Sequence, residues 1–150
     1  MTAGAIYETA ASAIRARFRD EVATPEDLAV VYDNQDSAAK TTRWARVSID
    51  FGTAAQASTG GTSSMRFRVT GRVTVQLFEP IGTGKTKGDG QQLALIDAVD
   101  AAFRGVRIAT PQIVFGAPSP LGAPDIDSDV WWRRRVEIPF RCDFFGINDP

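Results

Sequence analysis

The sequence predicts an α+β fold, a mostly antiparallel sheet of about four to five strands with two helices packed on one face. Two kinds of periodicity carry this. Apolar residues recur at steps of three and four in two segments, while long stretches near the middle and the C-terminus alternate apolar with polar. No internal repeat or dividing linker interrupts the order, so residues 1–150 are expected to form a single domain.

Over residues 3–20, Ile6, Ala10, Ala13, Ile14 and Phe18 form a helical stripe opposite Glu8, Arg15, Arg17 and Arg19, which predicts an amphipathic first helix. Pro25 stops helical continuation, and residues 28–32 form a short apolar strand that ends at the turn-prone Asp33 and Asn34. Residues 43–51 alternate, with Ala45, Val47, Ile49 and Phe51 on one side and Trp44, Arg46, Ser48 and Asp50 on the other. Residues 52–64 hold nothing apolar larger than alanine and cannot bury enough surface to offset their ordering entropy. A mobile hairpin tip is expected there, centred on Gln56, Thr59, Gly60 and Gly61.

Residues 65–78 give the clearest strand pattern. Met65, Phe67, Val69, Val73, Val75 and Leu77 share a face with Gly71, and Arg66, Arg68, Thr70, Arg72, Thr74 and Gln76 share the other. Asp89 with Gln92 has the spacing of a capping box, followed by the stripe Leu95, Ile96, Val99, Ala102 and Phe103, which predicts a second helix ending before Gly105. Residues 106–115 read as a strand interrupted by Pro111, and residues 116–128 as a loop. In the last strand, residues 130–145, Val130, Trp132, Val136, Ile138, Phe140, Cys142 and Phe144 oppose Trp131, Arg133, Arg135, Glu137, Arg141 and Asp143, with Arg134 breaking the alternation.

Composition removes several kinds of chemistry. The chain contains 0 histidines, which excludes Ser-His-Asp and Cys-His catalysis and histidine metal sites. Cys142 is the single cysteine, so neither an intrachain disulfide nor a cysteine-rich zinc site can form. Lys plus Arg total 17 against 18 for Asp plus Glu, without the positive excess of a dedicated nucleic-acid binder. No signal peptide or apolar span is evident, and no membrane role is expected.

Short motifs are weighed in the same way. Residues 82–86, GTGKT, resemble the end of a phosphate-binding loop, but Glu79 occupies the position of its first glycine and the helix is expected to start too late, near Asp89. The segment reads as a basic turn, and no nucleotide or other cofactor is expected. Asp125, Asp127 and Asp129 lack the glycine and terminal glutamate of a calcium loop and read as a solvated acidic turn, so no metal is expected. Arg66, Arg68 and Arg72 share one strand face, while Arg133 and Arg135 lie with Trp131 on a face of the last strand. Interfaces are enriched in arginine and tryptophan, so these six are the candidate contact residues for a neighbouring subunit or another protein.

The order of elements resembles that of the tail terminator family of long-tailed phages. The likeness lies in an N-terminal helix AIYETAASAIRARF, a strand FRVTGRVTVQLFEPIGTG, a helix ending DAVDAAFRG and a final strand VEIPFRCDFF. The extended small-residue loop at residues 53–64 is the departure. The resemblance implies a structural virion protein that assembles with itself into a ring, expected to be hexameric, on the head-proximal end of the tail tube. The ring would stop tube growth and present a surface to the head connector or neck, after assembly in the host cytoplasm. Its implied partners are its own copies, the tube protein and the connector, with only sequence-independent contact to DNA in the channel. The alternatives are another head–tail joining or neck protein and, more distantly, a nucleotide-binding enzyme.

Overall fold

The computed structural model describes residues 6–32, 43–56, 66–80, 85–109, 111–122, 125–127 and 131–145. The first helix, α1 (Ile6–Phe18), runs directly into a π-helical turn at Arg19–Ala23, where the Thr24 amide donates to the Arg19 carbonyl at 2.8 Å. The helical path therefore extends beyond residue 20. Phe18 and Val22, four apart, are both fully buried, so the wider turn keeps the apolar stripe on the core.

The strands are β1 (Ala29–Tyr32), β2 (Trp44–Gln56), β3 (Arg66–Pro80), β4 (Arg107–Ile108), β5 (Gln112–Phe115), β6 (Ser119–Pro120), β7 (Asp125–Asp127) and β8 (Trp131–Phe145), with α2 (Lys85–Phe103) between β3 and β4. The sheet runs in the order β1-β2-β3-β8-β5-β4, and β6 and β7 pair with β8 beside that path. It has more strands than expected and is mixed, because β1 pairs with β2 in parallel. Two local features account for the added strands, and a third lengthens β2.

Main-chain pairing to β3 carries β2 past residue 51, through a register shift between Phe51 and Ala54, until Gln56 lies opposite Phe67. Gln56 is thus a strand residue, while the rest of the expected hairpin tip, Thr59, Gly60 and Gly61, lies outside the described residues. Pro111 sits between two antiparallel strands, so the expected strand of residues 106–115 is the hairpin β4–β5. The expected loop of residues 116–128 supplies β6 and β7, both antiparallel to β8.

The helix α2 begins at Lys85 and contains Asp89 within it, so Asp89 does not open the helix. Gln92 is fully buried, and its Nε2 donates to the main-chain carbonyls of Leu77 at 3.2 Å and Trp132 at 2.9 Å. A side chain expected to cap a helix end instead joins α2 to both central strands. Losing that amide would remove two hydrogen bonds from carbonyls that lie within paired strands, at about 0.5 to 1.5 kcal/mol for each bond. At the other end of α2, Gly105 takes φ 64, as a chain leaving a helix often requires, and Arg17 of α1 donates to the Ala102 carbonyl at 2.7 Å.

One core joins Ile14 and Phe18 of α1, Val22 of the π turn, Leu95, Val99 and Phe103 of α2, and Val47, Val73, Val75, Val136 and Ile138 of the sheet. Both helices therefore cover the same face, as expected. Along it Phe103, Phe115, Phe140 and Phe51 follow one another at ring separations of 5.0, 6.3 and 5.8 Å. Gly71 pairs with Phe51 on one side and Phe140 on the other. A Cβ there would lie 2.6 Å from Phe140 Cζ and 2.5 Å from the Asp50 carbonyl oxygen.

The glycine in the middle of the strand is thus required by the ring laid over it. Gly71→Ala is expected to lower stability by about 1 to 3 kcal/mol, the usual cost of overpacking. Urea unfolding measures it, and an unchanged midpoint would contradict the packing.

Candidate interface on the sheet face opposite the helices

In β3 the odd-numbered residues Val73, Val75 and Leu77 enter the core, so the even-numbered residues face away from the helices. The register of β8 then decides what joins them. Gln76 lies opposite Arg135, Phe78 opposite Arg133 and Pro80 opposite Trp131, while Arg68 lies opposite Asp143 and Arg72 opposite Pro139. The two arginine-bearing strand faces are consequently one continuous sheet face. It brings together Arg66, Arg68, Arg72, Trp131, Arg133 and Arg135, and adds Arg46 of β2 and Arg141 of β8.

The arginines on this face differ in their partners. Arg68 holds Asp143 through two hydrogen bonds, Nε to Oδ1 at 2.8 Å and Nη2 to Oδ2 at 3.0 Å. Arg133 holds Asp125 in the same way, at 2.9 and 2.7 Å, which fastens β7 to β8. Asp125 is therefore an ion-pair partner, not part of a freely solvated acidic turn; the side chain of Asp127 and all of Asp129 lie outside the described residues. Arg72 approaches Glu137 at 3.6 Å with more than half of its side chain exposed, so that pair adds little. Arg135 and Arg141 are exposed and have no ion-pair partner among the described residues.

At one end of the face the Trp44 and Phe78 rings stack at 4.0 Å, and Trp131 meets Trp44 edge to face at 5.9 Å. Val31, Trp44 and Phe78 are buried here, and Trp131 is half-buried against them. Trp131 is thus an anchored ring with part of its surface available, a different setting from a tryptophan standing free in solvent. Arg46 lies over the Trp44 ring at 5.7 Å. Asp143, Glu137 and Arg46 were not singled out as contact residues in the sequence, and Asp125 was read only as part of an acidic turn. Asp143 and Glu137 share the alternation of the last strand with the arginines, but Asp143 and Arg68 are 75 residues apart and only the register unites them.

The phosphate-loop comparison changes in one respect. Residues 82–84 lie outside the described residues, but α2 begins at Lys85, so a late helix start no longer argues against it. Glu79 at the place of the first glycine still does. Its side chain is buried at 4% exposure, and its Oε1 has no hydrogen-bond partner among the described residues. Burial pushes the Glu79 carboxyl above its ordinary value, with the Arg43 charge acting in the opposite direction.

Cys142 is buried and its thiol is likewise raised by burial, which disfavours the reactive thiolate. Asp143 shows the opposite behaviour to Glu79. Its carboxyl is lowered chiefly by the hydrogen bonds from Arg68, against the effect of burial.

The chain matches a family model described as phage tail terminator protein over residues 9–140. Comparison with curated proteins gives no match. Among solved structures, one chain superposes with a TM-score of 0.59 at 19% identity, covering 89% of this chain and 95% of that chain, a likeness of fold alone.

The two carboxyls give pH dependences of opposite sign. A raised value in the fold means that Glu79 contributes most stability below the unfolded value of about 4.3, and that this is lost as pH rises through the folded value. A depressed value means that Asp143 contributes above about 3.9 and loses its contribution as pH falls through the folded value. Glu79→Gln should therefore be more stable than the parent at pH 7 and Asp143→Asn less stable, both differences shrinking in acid. Thermal unfolding across pH measures this, and shifts of the same sign at pH 7 would contradict the two environments.

Proposed function

We propose that this chain, which belongs to the phage tail terminator family, acts as a ring, hexameric by analogy with the family resemblance, on the head-proximal end of the tail tube. It is a structural protein of the phage tail. The ring stops addition of tube subunits and offers the head connector a surface. The structural observation that supports this reading is a broad sheet face, opposite both helices, on which arginines and a half-buried tryptophan are held by strand pairing.

Such a face suits an interface because its geometry is set before binding, and little side-chain entropy remains to be lost at Arg68 and Arg133, already fixed by two hydrogen bonds each. The exposed Arg135 and Arg141 and the weakly held Arg72 are left to meet carboxylates of a neighbour. Alternation of arginine with Asp143, Glu137 and Asp125 keeps this face from being uniformly basic, which favours a protein neighbour over DNA, whose contact would be local and independent of sequence.

The experiment is to make particles with the parent, without the protein, and with an Arg72→Glu, Arg135→Glu double variant whose folding is checked by thermal unfolding. Tails of uncontrolled length are expected without the protein and with the folded variant. Tails of normal length lacking heads would instead favour a joining or neck role.

A further inference from the structure

The helix layer and the sheet face opposite it differ in the sign of their exposed charge. On the helix side, Arg19 pairs with Asp20 at 3.0 Å and Arg104 with Asp100 at 2.6 Å. Arg15 and Arg17 are half-buried, the first over the Tyr32 ring and the second at the Ala102 carbonyl. The charge left exposed there without an ion-pair partner among the described residues is acidic, on Glu8 of α1, Glu21 of the π turn, Asp27 in the connection to β1 and Asp97 of α2.

The sheet face shows the reverse. The ladder Arg107–Val114–Arg141 puts Arg107 of β4 on the same side as Arg141, and Arg135 lies farther along β8. All three are exposed. Asp125 and Asp143 feel the charges of Arg135 and Arg141, but each is already held by another guanidinium through two hydrogen bonds. Asp50, opposite Arg72 in the ladder, is the one exposed acid on this face among the described residues.

Apolar surface is distributed to match. The exposed large hydrophobic residues among those described, Tyr7 and Leu93, are both on the helices. Tyr7 adjoins Glu8, and Leu93 precedes Asp97 by one helical turn on the same side of α2. The helix layer therefore presents apolar residues beside carboxylates, and the sheet face presents Trp131 beside cations.

We propose that the sheet face of one copy docks on the helix layer of the next, with Arg107, Arg135 and Arg141 meeting the acidic residues there and Trp131 meeting the apolar ones. The proposal rests on the ring reading above and specifies the two surfaces that join the subunits. A second copy is the occupant because the charge and apolar surface that complement the sheet face are carried by the other layer of this same chain. Two copies laid sheet face to sheet face would set arginine against arginine. A joint between unlike layers is heterologous, and its repetition closes a ring when the rotation between copies allows it.

The test reverses each layer separately at exposed positions. One variant carries Arg107→Glu, Arg135→Glu and Arg141→Glu, the other Glu8→Arg, Glu21→Arg and Asp97→Arg, and thermal unfolding checks both against the parent. If either triple variant fails to fold, Arg141→Glu and Asp97→Arg alone serve as the pair. In sedimentation velocity the parent is expected to assemble and each variant alone to lose assembly, because both of its layers then carry the same sign. An equimolar mixture should regain assemblies as large as those of the parent, since each layer of one variant again meets the opposite sign on the other.

A folded helix-layer variant that assembles like the parent, or a mixture that stays monomeric or stops at the dimer, would overturn this joint and leave the ring reading standing. A parent that stays monomeric throughout the concentrations tested would contradict both.

Discussion

The antiparallel pairing of β3 with β8 is the constraint from which the other features follow. The two strands are each 15 residues long, and their register runs unbroken from Arg66 opposite Phe145 to Pro80 opposite Trp131. A shift of one residue would turn every side chain of one strand to the wrong face, moving Val136 and Ile138 out of the core and arginines into it. Burial of an unpaired guanidinium is too costly for that alternative to compete. The same register that fills the core thus assembles the polar face. It also places Gly71 beneath the ring of Phe140, where no larger residue fits without displacement.

Helix packing is tied to the same pair of strands. Gln92 donates to one carbonyl on β3 and one on β8, so α2 is held where the two strands meet. Arg17 in turn joins α1 to the end of α2. On the far face, the bidentate pairs Arg68–Asp143 and Arg133–Asp125 bridge β3 to β8 and β7 to β8. What remains for partners is a smaller set of exposed cations and the outer surface of Trp131, displayed by a rigid support.

The elements most legible in the sequence were those whose pattern is local. The alternation from Phe67 to Leu77 and from Val136 to Phe144 identified both long strands and their faces, and the steps from Ile6 to Phe18 identified α1. Features decided by distant chain were not legible in this way. Ala54, Ala55 and Gln56 have no apolar pattern and join β2, beyond the register shift at Gly52 and Thr53, because β3 offers them main-chain partners. Gln92 has the spacing of a capping residue, and only the fold supplies the two carbonyls it binds. The six candidate contact residues were visible as two sets, but the register that makes them one face, and gives Arg68 and Arg133 carboxylates of their own, joins segments far apart in the chain.

Native-state hydrogen exchange, read amide by amide, tests the dependence on β3 and β8 most directly. The account predicts that hydrogen-bonded amides of Val73, Val75, Val136 and Ile138, all buried in the core, exchange only through global unfolding and are the slowest in the chain. Amides of the edge strands β1 and β4 should exchange by smaller openings. Slowest exchange in α1 or β1, with the centre of β3 and β8 opening first, would contradict the claim that this strand pair holds the rest of the structure.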